Sequence, residues 1–327
     1  MDGRPLLSLL YHLCSDRRLP HVEHLFAYKS PDGLARDLAF LRDRYTPVGH
    51  AEVVAHRRRG RALPPNAVEI SFDDGFAECF SVVRPLLLEY GIPASFFCVT
   101  DTIDNRSMMF RNTLSLCLER IEALSDDDRT RLRGWIATEF GVRTRSGAEL
   151  RRWVDGLQHD DTGRIDALCA RLGLDVAAIL RDERPYLTSE ELRQLARDGF
   201  TLGAHSCSHP RLERLPWEEA RREILDSCAA IRELTGERTV PFAIPFGGLG
   251  LARDRLASLV GQEQGISLVY DTNDLMRDHP FVVNRIQADD PKGSWRGRSN
   301  LGLLIGRARV LEPLRAWRRG WRGVAPS

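Results

Sequence analysis

The chain has 327 residues, of which 47 are lysine or arginine and 46 aspartate or glutamate, a formal charge of +1, and 43% are hydrophobic. This is an ordinary globular composition and excludes a disordered, collagen-like or coiled-coil chain. The near balance of charge argues against nucleic acid as the main partner, because such binding needs a basic face that displaces counterions from phosphates. No stretch approaches the roughly 18–20 continuous apolar residues of a membrane span.

Met1-Asp2-Gly3-Arg4-Pro5 followed by Leu6–Leu10 makes a poor signal peptide, since the apolar run is short and leads into Tyr11-His12-Leu13-Cys14 with no small-residue cleavage site. The seven cysteines are odd in number, scattered and never in a C-x-x-C pair. Reduced, mostly buried thiols in a cytoplasmic protein are therefore expected.

In chain order, Leu6–Tyr11 predicts a short buried strand, and Ser30-Pro31 predicts an N-cap with proline at the first helical position, with Leu34, Leu38 and Leu41 on the buried face. Ala67–Phe72 reads as a strand ending on Asp73-Asp74-Gly75. A helix carrying Val82, Val83, Leu86 and Leu87 follows, stopped by Gly91-Ile92-Pro93, and then a strand at Ala94–Thr100. Strand, helix and strand with short connections make a βαβ unit and imply parallel pairing. Over residues 101–184 the strand signal disappears and helical periodicity takes over, as in Leu114, Leu118, Ile121 and Leu124. This segment is expected to be a helical insertion within a single domain spanning 1–327.

The alternation resumes at Thr188-Ser189-Glu190-Glu191, a capping-box pattern. A strand over Phe200–Ala204 runs into His205; a helix marked by Ile224, Cys228, Ile231 and Leu234 ends at Gly236. Further strands are expected at Pro241–Ile244, Ile266–Tyr270 and Phe281–Ile286. Residues 293–327 form a basic tail in which arginines interleave with Trp295, Trp317 and Trp321. Two readings of it stand: an interfacial helix in peripheral contact with anionic lipid at the inner membrane face, or a helix docked on the domain with a solvated arginine face.

Two features carry chemistry. Asp73-Asp74 follows a strand directly, at the edge where parallel α/β proteins build their sites. Adjacent carboxylates there are costly unless compensated, although turn acids capping a helix are the plainer explanation. His205-Ser206-Cys207-Ser208-His209 also follows a strand, and histidines at i and i+4 are a common metal-ligand spacing. Together they offer a carboxylate and two imidazoles for a divalent ion, with one carboxylate to spare as a base.

Ser71-Phe72-Asp73-Asp74-Gly75 resembles the first motif of the polysaccharide deacetylases, the family-four carbohydrate esterases with a NodB-homology domain, and His205-Ser206-Cys207-Ser208-His209 resembles their second, H-[ST]-x-x-H. Leu10-Tyr11-His12 and Phe242-Ala243-Ile244-Pro245-Phe246-Gly247 resemble segments of a bacterial branch of that family. The resemblance implies an α/β fold, a distorted (β/α)7 barrel with a helical insertion. It also implies a metal-dependent hydrolase that removes N-acetyl groups from amino-sugar residues of a glycan, a lipid-linked glycan or a sugar precursor. By the same resemblance Asp73 is the general base, and Asp74, His205 and His209 hold one divalent ion, Zn2+ first, with Co2+, Ni2+ or Mn2+ as alternatives. The Phe246 backbone N–H donates to the oxyanion, and Pro245 lies on the substrate side.

Two family features are missing from their usual places: no arginine stands just before Pro245, and no late L-x-H histidine follows Ile286. His12, at the end of the first strand, is the candidate substitute for that general acid. Asp271-Thr272-Asn273-Asp274 matches the family's D-x-x-D-W element only loosely, with Leu275 in place of the tryptophan, and receives no role. An N-deformylase or other amide hydrolase on the same metal site, and a non-catalytic glycan-binding member, stand as alternatives.

Overall fold

The computed structural model describes residues 6–272, 279–291 and 299–308. In chain order the elements are β1 (Leu7–Tyr11), α1 (Pro31–Arg44), β2 (Thr46–Pro47), α2 (His50–Arg59), β3 (Ala67–Phe72), α3 (Arg84–Tyr90) and β4 (Ser95–Cys98). Five helices follow: α4 (Phe110–Glu122), α5 (Asp126–Phe140), α6 (Gly147–Gly156), α7 (Thr162–Leu172) and α8 (Val176–Asp182). Then come α9 (Ser189–Arg197), β5 (Thr201–Ala204), α10 (Trp217–Thr235), β6 (Val240–Ala243), α11 (Arg253–Ala257), β7 (Ile266–Asp271), β8 (Val282–Asn284) and β9 (Ile286–Gln287).

Contacts divide the chain into two compact units, one of Met1–Asp16, Tyr28–Asp104 and Pro185–Ser327, the other of Arg17–Ala27 and Asn105–Arg184. In the first, the strand order is β8-β7-β6-β5-β4-β3-β1-β9, with β2 beside β3, and every pairing is parallel. β8 and β9 are one stretch of chain interrupted at Arg285: its first part pairs with β7, its second with β1. That shared stretch closes the sheet into a distorted barrel whose staves are β1, β3, β4, β5, β6, β7 and β8–β9. The expected strand over Phe281–Ile286 is thus split, because it changes partner midway.

Local signals explain the elements. Ser30 caps α1 by accepting from the Gly33 N–H, and Leu34, Leu38 and Leu41 are buried. Thr188 and Glu191 form the capping box of α9. Before α3, Cys79–Val83 winds as a π-type turn. Along β3 the period of two separates environments. Val68, Ile70 and Phe72 join the main core with the α1, α3, α9 and α10 leucines and isoleucines, whereas Glu69, Ser71 and Asp73 face other polar groups. The Tyr270 hydroxyl donates to Glu69 Oε1 at 2.6 Å, and burial pushes the Glu69 carboxyl up to about 7.

A smaller core contains Phe97, Ala243, Tyr270 and Val283. Its tightest point is Gly203: a Cβ there would lie 2.5 Å from the Phe97 ring and 2.8 Å from the Pro241 carbonyl oxygen. Gly203→Ala is therefore expected to destabilise the protein by about 1–3 kcal/mol, the usual range for overpacking, as read from a denaturant midpoint. A cost below a few tenths of a kcal/mol would contradict this account of the packing.

The second unit is helical, with a core of Leu114, Cys117, Leu118, Ile121, Leu132, Ile136, Leu150, Val154, Ile165 and Leu168. Arg17–Ala27 belongs to it through Arg18 and His24, which both reach Glu119. All seven cysteines are free thiols, and all but Cys207 are buried. Among the described residues no helix is long and apolar enough to cross a membrane. Residues 301–308 are helical, with Leu301 and Ile305 buried; residues 292–298 and 309–327, including the three tail tryptophans, lie outside the described residues.

Candidate active site

Asp73 and Asp74 leave the C-terminal end of β3. The Asp73 N–H donates to the Tyr11 carbonyl at 2.9 Å, prolonging the β1–β3 ladder by one bond. Asp74 then turns into the left-handed region at φ 73°, so the two carboxylates part company. Ser206, His209 and Phe246 also have positive φ. Such residues persist only where their surroundings over-determine them, and they gather at functional sites.

His205 follows β5, its N–H donating to the Cys98 carbonyl at 2.8 Å. Its Nδ1 lies 2.9 Å from the Ala243 carbonyl. A carbonyl only accepts, so Nδ1 carries the proton and Nε2 presents a lone pair. The loop to His209 is tied inward by Ser206 Oγ, which accepts from the His209 N–H at 3.0 Å. It is tied outward by Glu223 of α10, whose carboxylate accepts from the Cys207 N–H, the Ser208 N–H and the Ser208 hydroxyl at 2.8, 3.0 and 2.7 Å. Cys207 is turned to α10, with Sγ 3.6 Å from the Glu223 carbonyl oxygen. Glu223→Ala is expected to loosen this loop and weaken divalent-ion affinity by about 10–100-fold, the usual effect of losing an outer hydrogen-bond partner of a metal site. Competition with a chromogenic chelator checks it.

Asp74, His205 and His209 present ligand atoms that all lie within 4.8 Å of one another, and all three side chains are buried. Asp74 Oδ1 is 3.4 Å from His205 Nε2 and 3.3 Å from His209 Nε2, yet it has no aligned hydrogen-bond partner. A buried carboxylate oxygen facing two imidazole nitrogens without hydrogen bonds fits a divalent cation well. Burial alone would raise the Asp74 carboxyl, but the two adjacent imidazoles hold it well below the usual carboxylate range. Burial lowers His209, against the pull of Asp74, which favours the neutral, ligating form.

Asp73 is gripped from the closing stretch of the barrel. Arg285 Nη1 and Nη2 donate to Asp73 Oδ1 and Oδ2, each at 2.7 Å, and Nη1 also reaches Ser71 Oγ at 3.0 Å. The guanidinium is fully buried, 5.2 Å from the centre of the Phe97 ring and 5.7 Å from that of Tyr270. An arginine does face the spare carboxylate, therefore, but it comes from the split between β8 and β9 and not from the segment before Pro245.

His12 ends the β1 stave on the same side. Its N–H donates to Asp289 Oδ1 at 2.9 Å and its Nδ1 lies 2.7 Å from Asp289 Oδ2. Burial would depress the imidazole, but the charge and hydrogen bond of Asp289, helped by Asp74 and Asp73, raise it to about 9. Asp289 thus favours the protonated form of His12.

Pro245 and Phe246 follow β6. The Phe246 ring centre stands 4.7 Å from that of His209, and the Arg211 guanidinium lies 4.4 Å from the Phe246 ring centre. His21 and His24 belong to the helical unit.

Sequence reasoning missed Arg285, Asp289 and Glu223. A signal existed for the first: a charged side chain interrupting the apolar Phe281-Val282-Val283 run in a predicted strand needs a buried counter-charge. Nothing in the sequence pointed to Glu223, which is one of many acids on an amphipathic helix.

The sequence profile of the polysaccharide deacetylases matches residues 60–265. Over 103 residues, 31% of this chain, the sequence is 31% identical to the peptidoglycan-N-acetylmuramic acid deacetylase PdaC of Bacillus subtilis; the match spans 21% of that protein. The fold is similar to that of the Streptococcus pyogenes deacetylase PplD solved with acetate, at a TM-score of 0.57 and 16% identity, covering 91% of this chain and 96% of that one. It is similar also to IcaB from Ammonifex degensii, at a TM-score of 0.53 and 17% identity, covering 94% of this chain and 98% of that one.

Proposed function

The chain belongs to the polysaccharide deacetylase family, and from that premise we propose that it removes N-acetyl groups from amino-sugar residues of a glycan, a lipid-linked glycan or a sugar precursor. Asp74, His205 and His209 would hold one divalent ion, Zn2+ before Co2+, Ni2+ or Mn2+ for two imidazoles and a carboxylate. When bound, such an ion polarises a carbonyl oxygen and acidifies water.

This chain's own residues handle the protons. Asp73, fixed by the Arg285 fork, accepts the proton of the attacking water. The Phe246 N–H stabilises the charge that develops on the acetamide oxygen, with Pro245 shaping the substrate side. His12, protonated and oriented by Asp289, delivers a proton to the departing amine. The observation that carries the proposal is the His12–Asp289 pair. It would supply an acid where the late histidine is absent, which supports hydrolysis over a non-catalytic glycan binder.

The test is divalent-ion content together with acyl release from chito-oligosaccharides, N-acetylated sugar nucleotides and peptidoglycan fragments, the last because of what the Bacillus subtilis relative acts on. One ion per chain is expected, with acetate release abolished by chelation and restored by Zn2+. Formate release from the N-formyl counterparts of these sugars, with no acetate from the N-acetyl ones, would assign a deformylase, and bound ion with no acyl release from either set would reject hydrolysis in favour of glycan binding.

A further inference from the structure

The roles assigned so far leave Asp271 unused, although it is fully buried at the end of β7. Its Oδ1 accepts from the Gly248 N–H at 2.8 Å and from the Thr272 N–H at 2.7 Å; its Oδ2 accepts from Arg253 Nη2 at 2.7 Å, at the start of α11. The Gly248 bond reaches across to the turn after β6, which carries Pro245 and Phe246. That turn is strained and tightly enclosed. Phe246 has φ 60° and Gly247 φ 98°, the first disfavoured by its Cβ. A Cβ on Gly247 would lie 2.6 Å from Thr272 Oγ1, and one on Gly248 would lie 2.8 Å from both Asp271 Oδ2 and Ile244 Cδ1.

We propose that Asp271, braced by Arg253, is a positioning residue that fixes the Phe246–Gly248 turn and with it the N–H aimed at the reacting carbonyl. The inference rests on the deacetylase reading and on the Phe246 N–H as oxyanion donor. Its physical basis is that such donors act through pre-organisation: a backbone amide held in a left-handed turn relaxes once its anchor is lost, and a displaced donor forfeits stabilisation of the transition state more than substrate binding.

The experiment compares the metal-loaded wild type with Asp271→Ala and Asp271→Asn. For Asp271→Ala we expect kcat to fall by about 10–100-fold, less than the 10²–10³ of deleting an oxyanion donor outright. KM and ion content should stay unchanged, and the Phe246 and Gly247 amides should exchange hydrogen faster. Asp271→Asn should recover most of the rate, because its amide oxygen still accepts from Gly248. A wild-type kcat in Asp271→Ala, a loss confined to KM or ion content, or no rescue by asparagine would overturn the proposal. If the wild type itself releases no acetate, the deacetylase reading falls. Amide exchange, measured with and without metal, then decides the clamp by itself: unchanged exchange in Asp271→Ala rejects it.

Discussion

Replacing Arg285 with methionine is expected to destabilise the protein by about 3–5 kcal/mol, the usual consequence of breaking a buried ion pair from one side, and to lower turnover by at least about 10²-fold. Both effects follow from one geometry. The guanidinium is completely buried and makes two parallel bonds to Asp73, whose side chain is also buried. Without it the Asp73 carboxylate is left uncompensated inside the barrel and loses the fork that orients it, so it no longer faces the attacking water. Arg285→Lys should restore little, since a point ammonium cannot reproduce the fork. Asp73→Asn alone should keep the ion and still lose at least about 10²-fold in rate. The double variant Asp73→Asn with Arg285→Met should be more stable than the sum of the single losses implies, because neither charge is then left alone. Urea unfolding and acetate release measure the two halves; turnover within a few-fold of wild type in Arg285→Met would sink the assignment.

The second large effect is on pH dependence. His12 is raised from 6.5 to about 9, chiefly through Asp289 acting against burial. As an acid it works only while protonated, so wild-type activity is expected to persist at neutral pH and to fall as pH rises through the alkaline range. In Asp289→Asn the effect of burial is no longer outweighed, and His12 should titrate near or below its ordinary value. The alkaline limb should move down by roughly two pH units or more, and at pH 8 turnover should drop by about 10–100-fold, with partial recovery near pH 6. The sign for stability is the same: a raised imidazole contributes stability that is fully present below about 6.5 and lost as pH rises through about 9. His12→Ala should slow turnover by about 10²-fold or more at every pH while leaving the ion bound. An alkaline limb unmoved by Asp289→Asn would exclude His12 as the acid.

The strands and the capped helices are legible because each depends on local pattern: the apolar alternation of Ala67–Phe72, Ser30-Pro31, the capping box at Thr188; the gathering of Asp74 with the His205 and His209 pair follows from two separate motifs and the family resemblance. The partners of Asp73 and His12 are not legible in this way. Arg285 and Asp289 lie more than two hundred residues further along the chain than the groups they serve, and no local periodicity encodes which buried charge will meet which. The split of the expected Phe281–Ile286 strand had the same cause, since only barrel closure dictates that it should serve two neighbours. No arginine stands just before Pro245, but a barrel allows the same interior point to be reached from a different stave.

That divided stave couples the seam of the barrel to the chemistry. The proposed metal ligands sit after β3 and β5, whereas the groups that would orient the proposed base and acid both ride on the stretch that zips β7 to β1. During synthesis Asp74, His205 and His209 thus emerge before the stretch that shuts the seam, and the proposed proton handling would arrive with that stretch. We predict that mild denaturant abolishes turnover at the concentration where amides of residues 282–287 lose hydrogen-exchange protection, while the ion is retained to higher concentration. Loss of the ion ahead of the seam would refute that order.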